Sequence, residues 1–208
     1  MKTKIIILFL LTGIYLCRSQ DFVNLDFEAA DVSAYGSGPA FVPITNAMPG
    51  WQQGYNDGSP LGFGFVFYNT VSLGSPAISL QGPGSLSTIL QGSYSVIMQP
   101  FSSTIAIAQM GIVPSTAQSL RFYASGSFSV SFAGHEIPLS NLGNRPTYTI
   151  YGGDISGFAN QSGLLQFQGG GTLDNIFFSP QAIPEPGVFG LFAVGALLIG
   201  WRLRHKTR

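Results

Sequence analysis

Between residues 127 and 132 the chain alternates serine with Phe128, Val130 and Phe132. A strand sends successive side chains to opposite faces, so this stretch puts three apolar groups on one side and three hydroxyls on the other. Period two recurs where Phe63, Phe65 and Phe67 alternate with Gly64 and Val66. Residues 75–80, 93–99, 104–110, 119–123, 147–151, 164–168 and 173–178 read as further strands. Gly134-His135 reads as a hairpin turn leading into a strand at 136–139. Glycine and proline punctuate at short intervals, as in Gly82-Pro83-Gly84, Gln99-Pro100 and Gly152-Gly153. No segment between residues 20 and 180 carries a 3.6 period. Many short strands at such spacing predict an all-β domain, a β-sandwich.

The ends of the chain follow other rules. Lys2 and Lys4 precede an apolar stretch at 5–16, and Cys17-Arg18-Ser19 follows. This is the pattern of a signal peptide, residues 1–19, with cleavage expected after Ser19. Cys17 also invites a lipoprotein reading, but Leu16 stands where a small residue is wanted. Cleavage after Ser19 removes the chain's one cysteine, so disulfides play no part in the mature protein. At the other end, residues 188–201 carry no charge, and Arg202, Arg204, Lys206 and Arg208 follow. As a helix this run spans about 21 Å, short of the ~30 Å hydrocarbon core. Snorkelling arginines and local thinning make up the difference. Trp201 falls at the apolar–basic border, where an interfacial ring belongs. The expectation is a single transmembrane helix at 188–201 with its basic tail in the cytoplasm. Pro184 and Pro186 keep the helix from starting earlier.

Removing both ends exposes the true charge of the middle. The whole chain is neutral, with nine basic and nine acidic residues. Seven of the basic residues lie in the two terminal segments. Only Arg121 and Arg145 remain against eight acidic residues between 21 and 174, a net charge of −6. An acidic, lysine-free surface repels a phosphate backbone, so no nucleic-acid partner is expected. Residues 20–180 suffice for one domain that buries a core without metal or disulfide.

Pro184-Glu185-Pro186, the short apolar helix and the basic end together resemble the PEP-CTERM sorting signal of Gram-negative bacteria, here residues 181–208. The same segment is also labelled the ice-binding protein C-terminal domain, a label that carries no evidence of ice binding. The resemblance implies recognition at Pro184, Glu185 and Pro186 by an exosortase, a membrane cysteine transpeptidase-like enzyme. Processing would then release the protein or hand it to the cell surface. Two body segments carry a second resemblance. Asn24-Leu25-Asp26-Phe27-Glu28 with Pro49-Gly50-Trp51, and Thr172-Leu173-Asp174-Asn175-Ile176, look like the opening and closing of galactose-binding-like jelly rolls. That resemblance implies a jelly roll whose first and last strands lie close together. In such folds a structural calcium often sits there, which points to Glu28, Asp174 and Asp26. Hydrogen bonding of Glu28 and Asp174 to turn backbones is the other reading of the same residues.

Trp51 and Tyr55, with Asn56, Asp57 and the region of Tyr35 nearby, offer aromatic faces for a sugar. Packing of Trp51 in the core beneath its Pro-Gly turn is the competing reading. Catalysis finds little in the sequence. His135 is the one histidine between the two termini, and its neighbours Gly134 and Glu136 suit a turn. No spacing selects a glycosidase pair among the carboxylates, and there is no phosphate loop or zinc spacing. Asn160-Gln161-Ser162 fits a glycosylation sequon, which is uninformative in the bacterial context that the sorting-signal resemblance implies. The expected protein is an exported, non-enzymatic surface or matrix component. It would be anchored transiently in the inner membrane and would serve adhesion or association with extracellular polysaccharide. A carbohydrate-binding module with a defined glycan is the alternative, and an extracellular hydrolase a remote one.

Overall fold

The structure, a computed structural model, describes residues 21–183 apart from 56–58, 60, 62 and 63. The expected signal peptide, the Pro-Glu-Pro motif, the apolar run at 188–201 and the basic tail all lie outside these residues. Among the described residues no helix is long and apolar enough to cross a membrane.

The fold is all-β. The strands are β1 Ala40–Pro43, β2 Gln52–Tyr55, β3 Phe65–Tyr68, β4 Ala77–Gln81, β5 Ser95–Gln99 and β6 Ile105–Ile112. They continue with β7 Ser119–Phe132, β8 His135–Ile137, β9 Ser140–Asn144, β10 Thr149–Asp154 and β11 Ser162–Ser179. A one-turn helix, α1 Ile44–Ala47, links β1 to β2.

Two long antiparallel strands organise everything else. β7 and β11 pair from Leu165 opposite Phe132 to Ser179 opposite Ser119, with a bulge between Asp174 and Phe177. On its other edge β11 changes partner. Residues 162–168 pair with β6, and 171–173 pair with β5. The ladder therefore splits into two branches that share β7 and β11. One runs β2-β6-β11-β7-β8, and the other β1-β3-β4-β5-β11-β7-β10-β9.

The branch point falls at Gly169-Gly170-Gly171, with Gly171 opposite Gly126. Gly171 and Gly126 have φ of +127° and +133°, values that side chains disfavour. A Cβ at Gly171 would collide with the carbonyl of Ser125 and the Cα of Gly126. The glycines let two backbones approach and bend where side chains would hold them apart. For this reason segments expected as four strands (119–123, 127–132, 164–168 and 173–178) form only two. Gly152-Gly153, read as punctuation, lies inside β10. A Cβ on Gly152 would strike Leu142 and Ile183, so the absence of a side chain serves packing rather than a turn.

The core draws on both branches. Leu120, Phe122 and Ala124 of β7 face Leu165, Phe167 and Leu173 of β11, with Val96, Met98, Ile105 and Ile107 beside them. Phe122 meets Phe167 edge to face at 5.2 Å. Each such side chain stabilises by roughly 1.5–3 kcal/mol as an upper figure. Val130 and Phe132 are buried and Phe128 is half-buried, in keeping with the serine alternation. In β3 the phenylalanines take the outer face. Val66 and Tyr68 fill the core, while Phe65 and Phe67 point away from it.

The N-terminal segment meets the last strand through turns rather than as a strand. Phe22 packs on Phe178 with ring centroids 5.3 Å apart. Ile176 N donates to Leu25 O at 3.0 Å. Gln109 holds Val23 at both ends, accepting from its N–H and donating to its carbonyl at 2.9 Å.

Candidate functional site

The residues singled out for chemistry fall into two constellations. The first joins the N-terminal turns, β11 and the loop before β5. Glu28 Oε1 accepts from the backbone N–H of Ser93 at 2.8 Å and of Tyr94 at 3.0 Å. Asp174 Oδ2 accepts from Gln91 N at 2.9 Å and from Ser95 Oγ at 2.6 Å. Its Oδ1 accepts from Asn175 N at 2.6 Å. The two carboxylates thus grip one loop from two sides.

Asp174 is 1% exposed. Burial pushes its carboxyl up to about 6, against the pull of the hydrogen bonds from Ser95, Gln91 and Asn175, and the charge of Glu28 pushes the same way. Burial also raises the phenol of Tyr94, helped by Tyr68, Glu28 and Asp31. Asp26 turns elsewhere, accepting from Glu28 N at 3.3 Å within its own turn. Glu28 and Asp174 therefore come together, and Asp26 does not join them. Among the described residues no three of His, Cys, Asp and Glu form a metal-binding group. The carboxylate oxygens face N–H and O–H donors, the arrangement of carboxylates that hold turn backbones.

The second constellation is aromatic, and it is not centred on Trp51. That indole is 4% exposed and its Nε1 donates to Asn24 O at 2.9 Å. Phe27 and Phe167 pack against it at 5.6 and 6.2 Å. Trp51 is a core residue and presents no platform for a sugar. Tyr55 is half-buried on β2 and packs against the same core.

The exposed aromatic surface lies on β1 and β3. Register sets Phe41 opposite Phe67, and alternation puts Phe65 on the same face. Among the described residues β1 is the edge strand of its branch. Phe41 is 58% exposed and Phe65 38%. Phe41 meets Phe65 at 5.1 Å and 72°, and Phe67 at 4.9 Å and 51°. With Leu61, Pro76 and Ala77 these rings line a cavity of about 360 Å³. Its polar members are already engaged. Gln53 Nε2 donates to Phe65 O at 2.8 Å, and Ser75 Oγ bonds Ser72 Oγ at 2.8 Å. Among the described residues no charged side chain lines it. The alternation of Phe65 and Phe67 was visible in the sequence. Which face they occupy, and that Phe41 joins them, required the register.

His135 opens β8 after the Ala133-Gly134 turn, and is exposed. Its ring leans on Phe158 at 5.7 Å rather than on a hydroxyl or carboxylate. Arg121 is directed to the C-terminal end of the domain. It donates to Ser119 Oγ at 3.0 Å and to Gln181 O at 3.2 Å, and Ser119 Oγ donates to Gln181 O at 2.7 Å. Comparison with protein-family models, with curated proteins and with solved structures found no match for this chain.

Proposed function

We propose that the chain is an exported bacterial surface or extracellular-matrix protein, sorted by an exosortase-like system through Pro184, Glu185 and Pro186. Its body, residues 20–180, is a jelly-roll-like sandwich with a non-catalytic role in adhesion or association with exopolysaccharide. Its N-terminal part reaches the periplasm, while the tail with Arg202, Arg204, Lys206 and Arg208 stays in the cytoplasm until processing. The observation that carries this reading is the order of blocks after the β domain: Pro-Glu-Pro, an uncharged run, then a basic end. Clasping of Gln181 by Arg121 and Ser119 supports it, because it fixes the backbone three residues before the motif.

Glu185→Gln tests the sorting step. The variant is expected to accumulate at full length in the inner membrane, seen as a larger band in that fraction. Normal maturation of the variant would leave a plain single-pass anchor as the better account. The alternative, a carbohydrate-binding module with one glycan ligand, is favoured by the aromatic cavity of Phe41, Phe65 and Phe67. A hydrolase has less support, since His135 leans on a phenylalanine ring.

A further inference from the structure

We propose that residues 179–183 form a docked strap that withholds the end of the domain from cutting enzymes and makes Pro184 the first residue open to them. The inference rests on the processing reading above and adds how the fold directs the cut. The strap is held by a polar half and an apolar half. In the polar half Ser119 Oγ donates to Gln181 O at 2.7 Å, and Arg121 Nη2 donates to the same carbonyl at 3.2 Å. Arg121 Nη1 reaches Gln181 Oε1 at 3.4 Å, and its Nε donates to Ser119 Oγ at 3.0 Å. Gln118 N donates to Ser179 O at 2.8 Å, and Gln181 N donates to Ser179 Oγ at 3.1 Å, so the strap is also fixed where it leaves β11. In the apolar half Ile183 lies over Gly152 of β10. A Cβ at Gly152 would stand 2.8 Å from Ile183 Cδ1 and 2.6 Å from Leu142 Cδ1, so the seat exists only because that residue is glycine. Register sets Gly152 opposite Arg121, which makes the two halves neighbours.

Pro184 follows Ile183 directly, so docking ends where the motif begins. Gln181 and Ala182 are exposed, and attachment to the domain rather than burial protects them. A cutting enzyme must draw the chain out into its own cleft. Cleavage inside a docked segment therefore waits for local opening and follows the population of the open form. The guanidinium makes charge-assisted bonds to a backbone carbonyl, which keeps that population small.

The test adds proteinase K to the full chain in lipid nanodiscs and reads the mass of the large fragment. Its C-terminus should lie at Ile183 or beyond. Arg121→Ala and Ile183→Ala should each open the strap, move the fragment ends back to 179–182 and speed the first cut by about tenfold. Ile183 lies outside every strand, and unchanged hydrogen exchange in the β7–β11 ladder keeps its variant distinct from an unfolded one. A parent fragment that ends before Ile183, or the same ends and rate in both variants, overturns the proposal. Intact masses of the matured protein from producing cells separate the two levels. One sharp end in the parent with mixed ends in Ile183→Ala supports the strap as the guide of processing, and one shared sharp end overturns that role. A parent that cells never cut sinks the sorting reading and the guiding role with it, while the proteinase K result still decides whether the strap is docked.

Discussion

Gly171→Ala is expected to destabilise the domain by about 3–5 kcal/mol, combining left-handed backbone strain with overpacking. Native domains have about 5–15 kcal/mol in total, so the variant stands near the edge of folding. The cause is local: the added methyl meets the backbone of Ser125 and Gly126, which has no flexible end to swing aside. The loss falls on the branch point where β11 passes from β6 to β5, and so on the relation between both halves of the core. Gly36→Ala is the control. Its φ is also positive, +70°, with ψ −165°, but nothing lies within 4 Å of the new Cβ, so the cost should be backbone strain alone, about 1–3 kcal/mol. Urea denaturation followed by Trp51 fluorescence measures both. Equal losses in the two variants would mean that strain alone matters and that the close crossing of β7 and β11 does not.

Asp174→Asn is expected to change the pH dependence of stability. A carboxyl held at about 6 when folded, against an ordinary 3.8, binds its proton more tightly in the folded state. The stabilisation is therefore fully present below about 3.8 and is lost as pH rises through about 6. That difference corresponds to ~3 kcal/mol. Asparagine cannot titrate, and its amide places a donor against either Gln91 N or Asn175 N. The variant should thus be weaker than the parent at pH 4 by roughly 1–3 kcal/mol. Between pH 4 and pH 7.5 the gap should move in the variant's favour by ~2.5 kcal/mol. Taking the difference between the two proteins cancels the remaining carboxylates. Parallel stability curves would show that Asp174 titrates normally and that its burial carries no electrostatic cost.

The sequence revealed strands wherever alternation was strong and side chains large. Ser127 to Phe132 is such a case, since Val130 and Phe132 are buried as the pattern requires. It hid the strands that lack this pattern. β1 is four residues ending in proline, β2 holds two glutamines and a glycine, and β9 reads Ser-Asn-Leu-Gly-Asn. Their pairing comes from neighbours, not from local preference. Glycine misled for a physical reason. It marks turns when its backbone freedom is used locally, but Gly169-Gly170-Gly171 uses the missing side chain to let another strand approach.

The site was legible in part. Glu28 and Asp174 were named together, and both do hold the loop before β5. The loop itself had no signal, because its donors at Gln91, Ser93 and Tyr94 are backbone groups. Trp51 drew attention as an aromatic face for a sugar, yet size and apolarity suit a core as well as a surface. Phe41 was invisible until register placed it beside Phe65 and Phe67.

The proposed function makes both hydrophobic ends addresses for an anionic β domain between them. Intact-mass measurement on the protein recovered from the cell surface or medium tests this most directly. The polypeptide is expected to start at Gln20 and to have lost the apolar run at 188–201. All 208 residues recovered uncut from the cytosol would contradict it.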